Sequence, residues 1–447
     1  MDLISTPLLA ASTGGTEKLS LAIVVLELAL VYLTALLGGE FCRRLGFPSL
    51  LGELLGGLLI GISGLHLFVP DPALPPDSSV LVNWVAGLHG GLDSLAEVFA
   101  FQGEFFRNLA NVGVVVLLFE IGLGANLNQF LVQRSKVIAV AGTGVLLSIV
   151  GGSLVLNAFF GVEILPALFM GAALSVTSLG VTLQLLRQEA AYTPDETQVV
   201  IGAAMLDDVI GIILLSLILG VFKTGGSVMS LNILLVVVLT TAVIVVAILA
   251  GRLFSRLLML LRQILTTPGR VIIPALMFAF VFVLIASGAG LVNILGAFLA
   301  GLVLKGGVRR LIAESLRPVV DAFVPIFFVY VGAETDLSQL LPGAGDRGWF
   351  SPILALFLIA ISVVSKLASG YAVSIQEGMN PLAIGLGMIP RGEVMLVFAE
   401  VGRIAGILDP ILFTVLVVVS LTSALAASLG LRWLKPAPIR IPVGESR

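Results

Sequence analysis

Charged side chains, histidine and cysteine are all scarce in this chain of 447 residues. Only 11% of the residues are charged and 58% are hydrophobic, a balance typical of a protein that crosses a membrane many times. The single cysteine, Cys42, excludes an internal disulfide framework and makes a cysteine-based metal site an unfavourable interpretation. A formal net charge of −3 indicates no nucleic-acid partner. Because the N-terminus lacks a basic start, we predict no cleaved signal peptide.

Apolar runs between charges and turn residues predict an all-α polytopic membrane protein with about 13 transmembrane helices. We call these predicted helices spans one to thirteen. They fall near residues 19–40, 48–64, 109–126, 136–158, 163–186, 198–222, 231–251, 271–287, 291–304, 318–335, 352–375, 380–401 and 410–431.

The 24 basic residues are distributed unevenly among the loops between these spans. Seventeen follow odd-numbered spans or lie in the C-terminal tail, and five lie in the N-terminus or after even-numbered spans. The positive-inside rule therefore places the N-terminus outside and the C-terminus in the cytoplasm or its equivalent. Two cations remain, Lys366 and Arg391, and each lies near the middle of its own apolar span.

Two adjacent aspartates, Asp207 and Asp208, lie within span six, which holds no other charged residue between Gln198 and Lys223. A carboxylate near the centre of a bilayer costs at least ~2.5 kcal/mol, so such residues are usually functional. The pair requires a cationic partner, or a proton on at least one carboxylate.

An internal repeat relates the two halves of the chain. Residues 119–130 align with 329–340 at an offset of 210, and residues 52–61 align with 296–305 at an offset of 244. An insertion near residues 68–101 accounts for the difference. The aligned segments are seven spans apart, and an odd period reverses orientation in the membrane. The pattern predicts two inverted six-helix repeats joined by a connector helix, an architecture typical of secondary transporters with a site at mid-depth.

The repeat also pairs span five with span twelve, where residues 166–182 lie opposite 381–397. The first segment carries Ser, Thr and Gly at its centre, and the second carries Pro390, Arg391, Gly392 and Glu393. These residue types weaken or break a helix, so we predict two crossed broken helices at the same depth. Carbonyl and hydroxyl oxygens at such breaks suit a hard cation such as Na⁺. Arg391 and Glu393 are predicted to neutralise the facing helix ends.

The ordered set of these motifs resembles the second branch of the monovalent cation:proton antiporters, in particular cyanobacterial-type sodium/proton antiporters of the NhaS type. The resemblance covers residues 19–431 and rests on LDD in span six, VSKLASG in span eleven, TSLG and IPRGE at the breaks, and GELLGG in span two. It implies that Asp208 binds Na⁺ or a proton and that Asp207 pairs with Lys366. It further implies that Thr177 and Ser178 offer oxygens to the cation.

The sequence departs from the family pattern at two places. Relatives often have an acidic residue after the glycine-leucine of span three, but this chain reads GLGANL, which leaves Glu120 as the nearby carboxylate and a further candidate. Some relatives have an acidic residue at the span-five break where this chain has Ser178.

We expect the protein to be a transporter, not an enzyme, and to need no cofactor beyond the transported Na⁺ and H⁺. Burial disfavours the charged form of a carboxylate, so one site can hold either ion and exchange them by competition. Lys366 favours electrogenic exchange with two protons per Na⁺. K⁺/H⁺ exchange is the alternative within the class, followed by a Na⁺-coupled solute symporter. An intramembrane aspartyl protease is disfavoured because adjacent aspartates on one helix diverge by about 100°.

We expect one membrane domain that assembles as a homodimer. It should lie in the cytoplasmic membrane, or in the thylakoid membrane if the chain is cyanobacterial. The resemblance implies a mobile transport part and a dimerisation part. Along the chain we predict an N-terminal segment at 1–18, the membrane domain at 19–431 and a cytoplasmic tail at 432–447. Within the membrane domain, repeat one covers about 19–222, the connector helix 231–251 and repeat two about 271–431. The predicted transport part consists of 109–222 and 318–431, and the rest of the domain forms the dimerisation part.

Overall fold

A computed structural model describes most of the chain, and every regular element among the described residues is helical. The described residues are 6–71, 74–88, 95–125, 133–188, 192–223, 231–264, 266–267, 269–342, 349–373 and 378–432. Sixteen α-helices are defined there: α1 Thr6–Arg44, α2 Ser49–Ile60, α3 Val80–Leu88, α4 Leu95–Gly124, α5 Arg134–Phe160, α6 Ile164–Ala173, α7 Leu179–Gln188, α8 Pro194–Lys223, α9 Leu231–Ile264, α10 Ile272–Gly288, α11 Asn293–Leu302, α12 Gly306–Glu334, α13 Phe350–Gly370, α14 Pro381–Met388, α15 Glu393–Ile404 and α16 Pro410–Arg432.

The helices agree with the predicted spans. Eight helices in the described part of the chain are long and apolar enough to cross a membrane, and the bent pair of α14 and α15 makes a ninth candidate. Four shorter apolar helices, α2, α6, α10 and α11, complete the pattern. Each of the thirteen predicted spans overlaps one helix or one interrupted pair. The chain is therefore an integral, multi-pass membrane protein, as predicted.

Several helix boundaries differ from the predicted ones. Helix α4 begins at Leu95, fourteen residues before span three, and α9 continues to Ile264, beyond the predicted end of span seven. Helix α12 begins at Gly306 and continues through Pro318 and Pro325, whereas the prediction began the span at the first proline. Each proline removes one backbone donor, but neighbouring helices can satisfy the freed carbonyls. Sequence alone does not show that support.

The described chain divides into two compact units. The first contains α1 to α4, the last turns of α8, α9 to α12 and the beginning of α16. The second contains α5 to α7, most of α8, α13, α14, most of α15 and the rest of α16. Their bounds are Met1–Ala125, Leu219–Ser351 and Arg403–Val417 for the first, and Asn126–Ile218, Pro352–Gly402 and Val418–Arg447 for the second.

Two close glycine contacts show the repeat within the first unit. A Cβ atom on Gly57 of α2 would lie 2.2 Å from the carbonyl oxygen of Val329 on α12. A Cβ atom on Gly301 of α11 would lie 2.3 Å from the carbonyl oxygen of Phe119 on α4. The predicted offset of 244 relates Gly57 to Gly301, and the predicted offset of 210 relates Phe119 to Val329. The two contacts are therefore equivalent in the two repeats. The two repeats thus use equivalent glycines for the same close helix packing, as small residues do in membranes.

Candidate functional site: a buried charge cluster at two broken helices

Two helix breaks meet in the second unit. Residues 174–178 separate α6 from α7, and residues 389–392 separate α14 from α15, whose axes differ by 41°. The backbone N–H of Ser178 donates to the carbonyl oxygen of Pro390 at 2.8 Å. The Thr182 hydroxyl donates to the carbonyl oxygen of Gly387 at 3.0 Å. The predicted crossing of two broken helices is therefore present.

Arg391 is fully buried, and backbone carbonyls surround its guanidinium group. Nη1 donates to the carbonyl oxygen of Val176 at 2.7 Å and to that of Met388 at 3.4 Å. Nη2 donates to the carbonyl oxygen of Ser362 at 3.1 Å. Met388 is the last residue of α14, and Val176 lies three residues after the end of α6. Both carbonyls are thus beside the carboxyl end of a helix, where helix dipoles place negative charge. Arg391 therefore lies beside partial negative charge, and its role in neutralising these helix ends stays a prediction.

The Glu393 carboxylate lies at the amino-terminal end of a helix, α7, where the helix dipole places positive charge. Its Oε2 atom accepts a hydrogen bond from the Ser178 hydroxyl at 2.5 Å, and its Oε1 atom accepts one from the backbone N–H of Gly180 at 3.3 Å. Gly180 belongs to the first turn of α7, whose unpaired N–H groups attract negative charge. Arg391 and Glu393 therefore each face the helix ends of opposite charge.

Asp207 and Lys366 form a completely buried ion pair. The ammonium group of Lys366 on α13 donates to Oδ2 of Asp207 on α8, and both side chains have 0% exposure. The Thr177 hydroxyl donates to the same oxygen at 2.8 Å. The negative charge of Asp207 thus has the Lys366 ammonium group and the Thr177 hydroxyl as partners.

Asp208 is buried beside this pair but has no such compensation. Its Oδ1 atom is buried without a hydrogen-bond partner among the described residues. The carboxylates of Glu393 and Asp207 repel its negative charge, and the ammonium group of Lys366 attracts it. An unpaired buried carboxylate is costly, so Asp208 requires a proton or a cation.

The hydroxyl groups of the two predicted oxygen ligands, Thr177 and Ser178, donate to carboxylates other than Asp208. The hydroxyl of Thr177 donates its proton to Asp207, and that of Ser178 donates to Glu393. A hydroxyl oxygen that donates its proton keeps its lone pairs, which are what a cation binds. Glu120 lies on α4 in the first unit, whereas the charge cluster lies in the second. In the described part of the chain, no group of three or more His, Cys, Asp and Glu residues could hold a metal ion.

Sequence reasoning missed several residues that hold the cluster in place. Gly144 of α5 leaves room for Lys366, because a Cβ atom there would lie 3.2 Å from the lysine Nζ. The Ser362 carbonyl binds Arg391, and the Ser423 hydroxyl accepts the Arg391 backbone N–H at 3.2 Å. Gly144 is one of 50 glycines, and the serines lie in ordinary apolar runs, so no local signal distinguishes them.

This fold and this buried charge cluster define a class, the secondary transporters with crossed broken helices. Residues 29–435 match the sequence profile of the family described as sodium/hydrogen exchanger, transmembrane. The chain belongs to this family of transporters.

Individual relatives agree with this assignment. The chain is 40% identical over 434 residues to the high-affinity Na⁺/H⁺ antiporter NhaS3 of Synechocystis, covering 95% of this chain and 93% of that protein. It is 29% identical to the Na⁺/H⁺-K⁺ antiporter GerN of Bacillus cereus, covering 88% and 91%. The predicted resemblance to cation:proton antiporters of the NhaS type is confirmed.

A solved structure shows the same fold. The sodium proton antiporter MjNhaP1 of Methanocaldococcus jannaschii has 17% sequence identity and a TM-score of 0.63, covering 93% of this chain and 99% of that protein. The predicted all-α antiporter fold is confirmed.

Proposed function

We propose that the protein exchanges Na⁺ for H⁺ and that Asp208 is the site for which the two ions compete. The observation that carries the proposal is the buried Oδ1 atom of Asp208, which has no hydrogen-bond partner among the described residues and on which the like charges of Glu393 and Asp207 act. Either a proton or Na⁺ would remove the cost of this buried charge. The names of the relatives, which include Na⁺/H⁺ antiporters, support Na⁺ as the cation.

Competition at one carboxylate is sufficient for exchange by alternating access. With neither ion bound, the bare charge of Asp208 opposes movement through the low-dielectric interior. With either ion bound, that charge is neutralised and the site can change the side to which it is open. Na⁺ moved in one direction is therefore exchanged for protons moved in the other.

The Asp207 and Lys366 pair provides a reason for a second proton. Na⁺ at Asp208 would add positive charge beside the ammonium group of Lys366, which is already fully buried. The loss of a proton from Lys366 would relieve this repulsion. We propose that exchange is electrogenic, with two protons per Na⁺. Proteoliposomes whose Na⁺ uptake is indifferent to an imposed membrane potential would contradict this stoichiometry.

Proton flux in proteoliposomes tests the function itself. We expect Na⁺ addition, without any organic solute, to move protons across the vesicle membrane, and we expect Li⁺ to do the same. A flux that K⁺ drives and Na⁺ does not would replace the proposal with K⁺/H⁺ exchange. A requirement for an organic solute would indicate a symporter instead.

The assembly and the location are also proposals. We propose a homodimer, supported by the exposed apolar residues along α1 and α9 that include Leu36, Phe41 and Leu253. We also propose that the transport part consists of 109–222 and 318–431, as the resemblance implies. The mass of the purified protein in detergent tests the homodimer, and a monomer would contradict it. Residence in a cytoplasmic or a thylakoid membrane is tested by fractionation of the source cells.

A further inference from the structure

A second buried carboxylate lies in the first unit, on a different helix from the transport cluster. Glu27 of α1 has 0% exposure, and neither of its carboxylate oxygens has a hydrogen-bond partner among the described residues. Most buried polar groups are hydrogen-bonded, and an intramembrane carboxylate is usually functional. Glu27 therefore needs an explanation that the exchange mechanism does not supply.

A glutamine of α4 flanks the same apolar cluster as Glu27. Ile23 on α1, one turn before Glu27, belongs to an apolar cluster that also contains Val98 and Phe99 of α4. Gln102 lies one turn after those two residues, and its Nε2 atom donates to the carbonyl oxygen of Val69, another member of the cluster, at 3.3 Å. In the predicted topology, spans one and three cross the membrane in the same direction, so α1 and α4, which contain them, are expected to run parallel. Glu27 and Gln102 then each lie one turn beyond the cluster, toward the same side of the membrane.

Both side chains have acceptor oxygens without donors. Gln102 is fully buried, and its Oε1 atom has no partner among the described residues, like both oxygens of Glu27. An ionised carboxylate and an amide oxygen only accept hydrogen bonds, so together they are three acceptors with no proton. One proton on Glu27 changes this, because the carboxyl hydroxyl then donates. It also removes the charge.

Among the side chains that the structure describes, no Lys or Arg donates a hydrogen bond to Glu27. Helices α2, α3, α4 and α12 pack against α1. Helix α3 has no titratable side chain. Those of the other helices include Glu53, Glu104, Arg107, Asp321, Tyr330 and Glu334, and Tyr330 donates to Glu334 at 2.7 Å. None of these side chains donates a hydrogen bond to either carboxylate oxygen of Glu27.

We propose that Glu27 and Gln102 form a proton-binding site of the first unit, separate from the exchange site, in which the protonated Glu27 carboxyl donates to Oε1 of Gln102. The proton is a structural ligand, bound in the folded state and released on unfolding in neutral or alkaline solution. Because the folded state then holds more protons than the unfolded state, stability falls as pH rises toward the point where Glu27 ionises in the folded protein.

The test compares thermal unfolding of the full-length native protein and Glu27→Gln in detergent across a pH series. Glutamine is neutral and of the same shape, so we expect the two proteins to be similarly stable in acid. As pH rises, the folding equilibrium constant of the native chain should fall relative to that of Glu27→Gln by up to about tenfold per pH unit. Parallel curves, or a Glu27→Gln protein that is less stable at every pH, would overturn the proposal.

A matched control lies in the second unit. Glu196 is also buried, but it accepts hydrogen bonds from the backbone N–H groups of Thr193 at 2.8 Å and Asn380 at 2.6 Å. Glu196→Gln should therefore lower the melting temperature at neutral pH, because the amide nitrogen of glutamine cannot accept the hydrogen bond that one of the two carboxylate oxygens accepts. A Glu196→Gln protein that gains stability over the native chain with rising pH, as Glu27→Gln is expected to do, would show that the gain is common to buried glutamates and would overturn the proposal.

Infrared spectroscopy gives a readout that does not depend on stability. We expect the native protein to show a protonated-carboxyl stretching band that Glu27→Gln lacks and that Gln102→Leu shifts to higher frequency. The absence of this difference would indicate an ionised Glu27 hydrated by water and would overturn the proposal.

Na⁺-driven proton flux of Glu27→Gln should equal that of the native protein. A loss of flux with intact folding would instead place Glu27 in the transport pathway.

Discussion

At the scale of single residues, the two cations in the membrane interior are the clearest link between sequence and structure. A count of basic residues isolates Lys366 and Arg391, because all the others fit loops or the chain ends. Their contacts follow from packing that the count cannot show. Lys366 fits beside Gly144, and Arg391 fits among three carbonyls. Charge in an apolar span is visible in a sequence, whereas the space made by a distant glycine is not.

Removal of the lysine charge should destabilise the protein. Lys366→Met would remove the ion-pair partner of Asp207 and leave this buried carboxylate with the Thr177 hydroxyl as its described hydrogen-bond donor, and such changes cost about 3–5 kcal/mol. Asp207→Asn combined with Lys366→Met removes both charges and should recover much of the loss. Thermal or chemical unfolding in detergent measures both effects.

The control for this change is another lysine on a membrane helix. Lys223 at the end of α8 is exposed, so Lys223→Met should alter stability by less than about 0.5 kcal/mol. If the double variant were no more stable than Lys366→Met alone, the cost would come from lost packing and not from an unpaired Asp207.

At the scale of helices, the two breaks could be located from composition. Helix interruptions were predicted at the serine, threonine and glycine residues of 175–180 and at the segment from Pro390 to Glu393. The structure has its breaks at these places. Prolines were a poor guide in α12, which continues through Pro318 and Pro325. Pro390 lies in a crossing where other groups bind the freed backbone, whereas α12 keeps its helix around its prolines. The difference depends on neighbouring helices, which a single segment does not contain.

The close approach at the crossing depends on Gly392. A Cβ atom there would lie 2.6 Å from Oγ and 2.9 Å from Cβ of Ser178. Gly392→Ala should push the breaks apart, cost about 1–3 kcal/mol of stability and lower the exchange rate. Adding Ser178→Gly makes room for the new methyl group and should restore stability. Unfolding and proteoliposome flux measure the two effects separately.

A glycine on α5 provides the matched control. A Cβ atom on Gly142 would have no atom within 4 Å, so Gly142→Ala should leave flux and stability nearly unchanged. Equal effects of the two alanine substitutions would show that glycine loss in general, and not the contact with Ser178, causes the defect.

At the scale of the whole molecule, weak self-similarity was enough to predict the inverted repeats. The equivalent contacts of Gly57 with Val329 and of Gly301 with Phe119 show that the two offsets describe real structural equivalence. The two compact units were not predictable in the same detail. The first unit includes residues up to 125 and 219–351, so it contains parts of the predicted transport part. The compact units describe the packing of one conformation, whereas the transport and dimerisation parts are defined by movement between conformations. The division into a transport part and a dimerisation part therefore stays a proposal.

Proton release from the purified protein on addition of Na⁺ tests competition at Asp208 most directly. In weakly buffered detergent solution, Na⁺ should release protons from the native chain and from the Gly142→Ala control. Asp208→Asn, folded and of normal thermal stability, should release none, because the residue that exchanges one ion for the other is missing. Proton release by Asp208→Asn equal to that of the native chain would contradict the account.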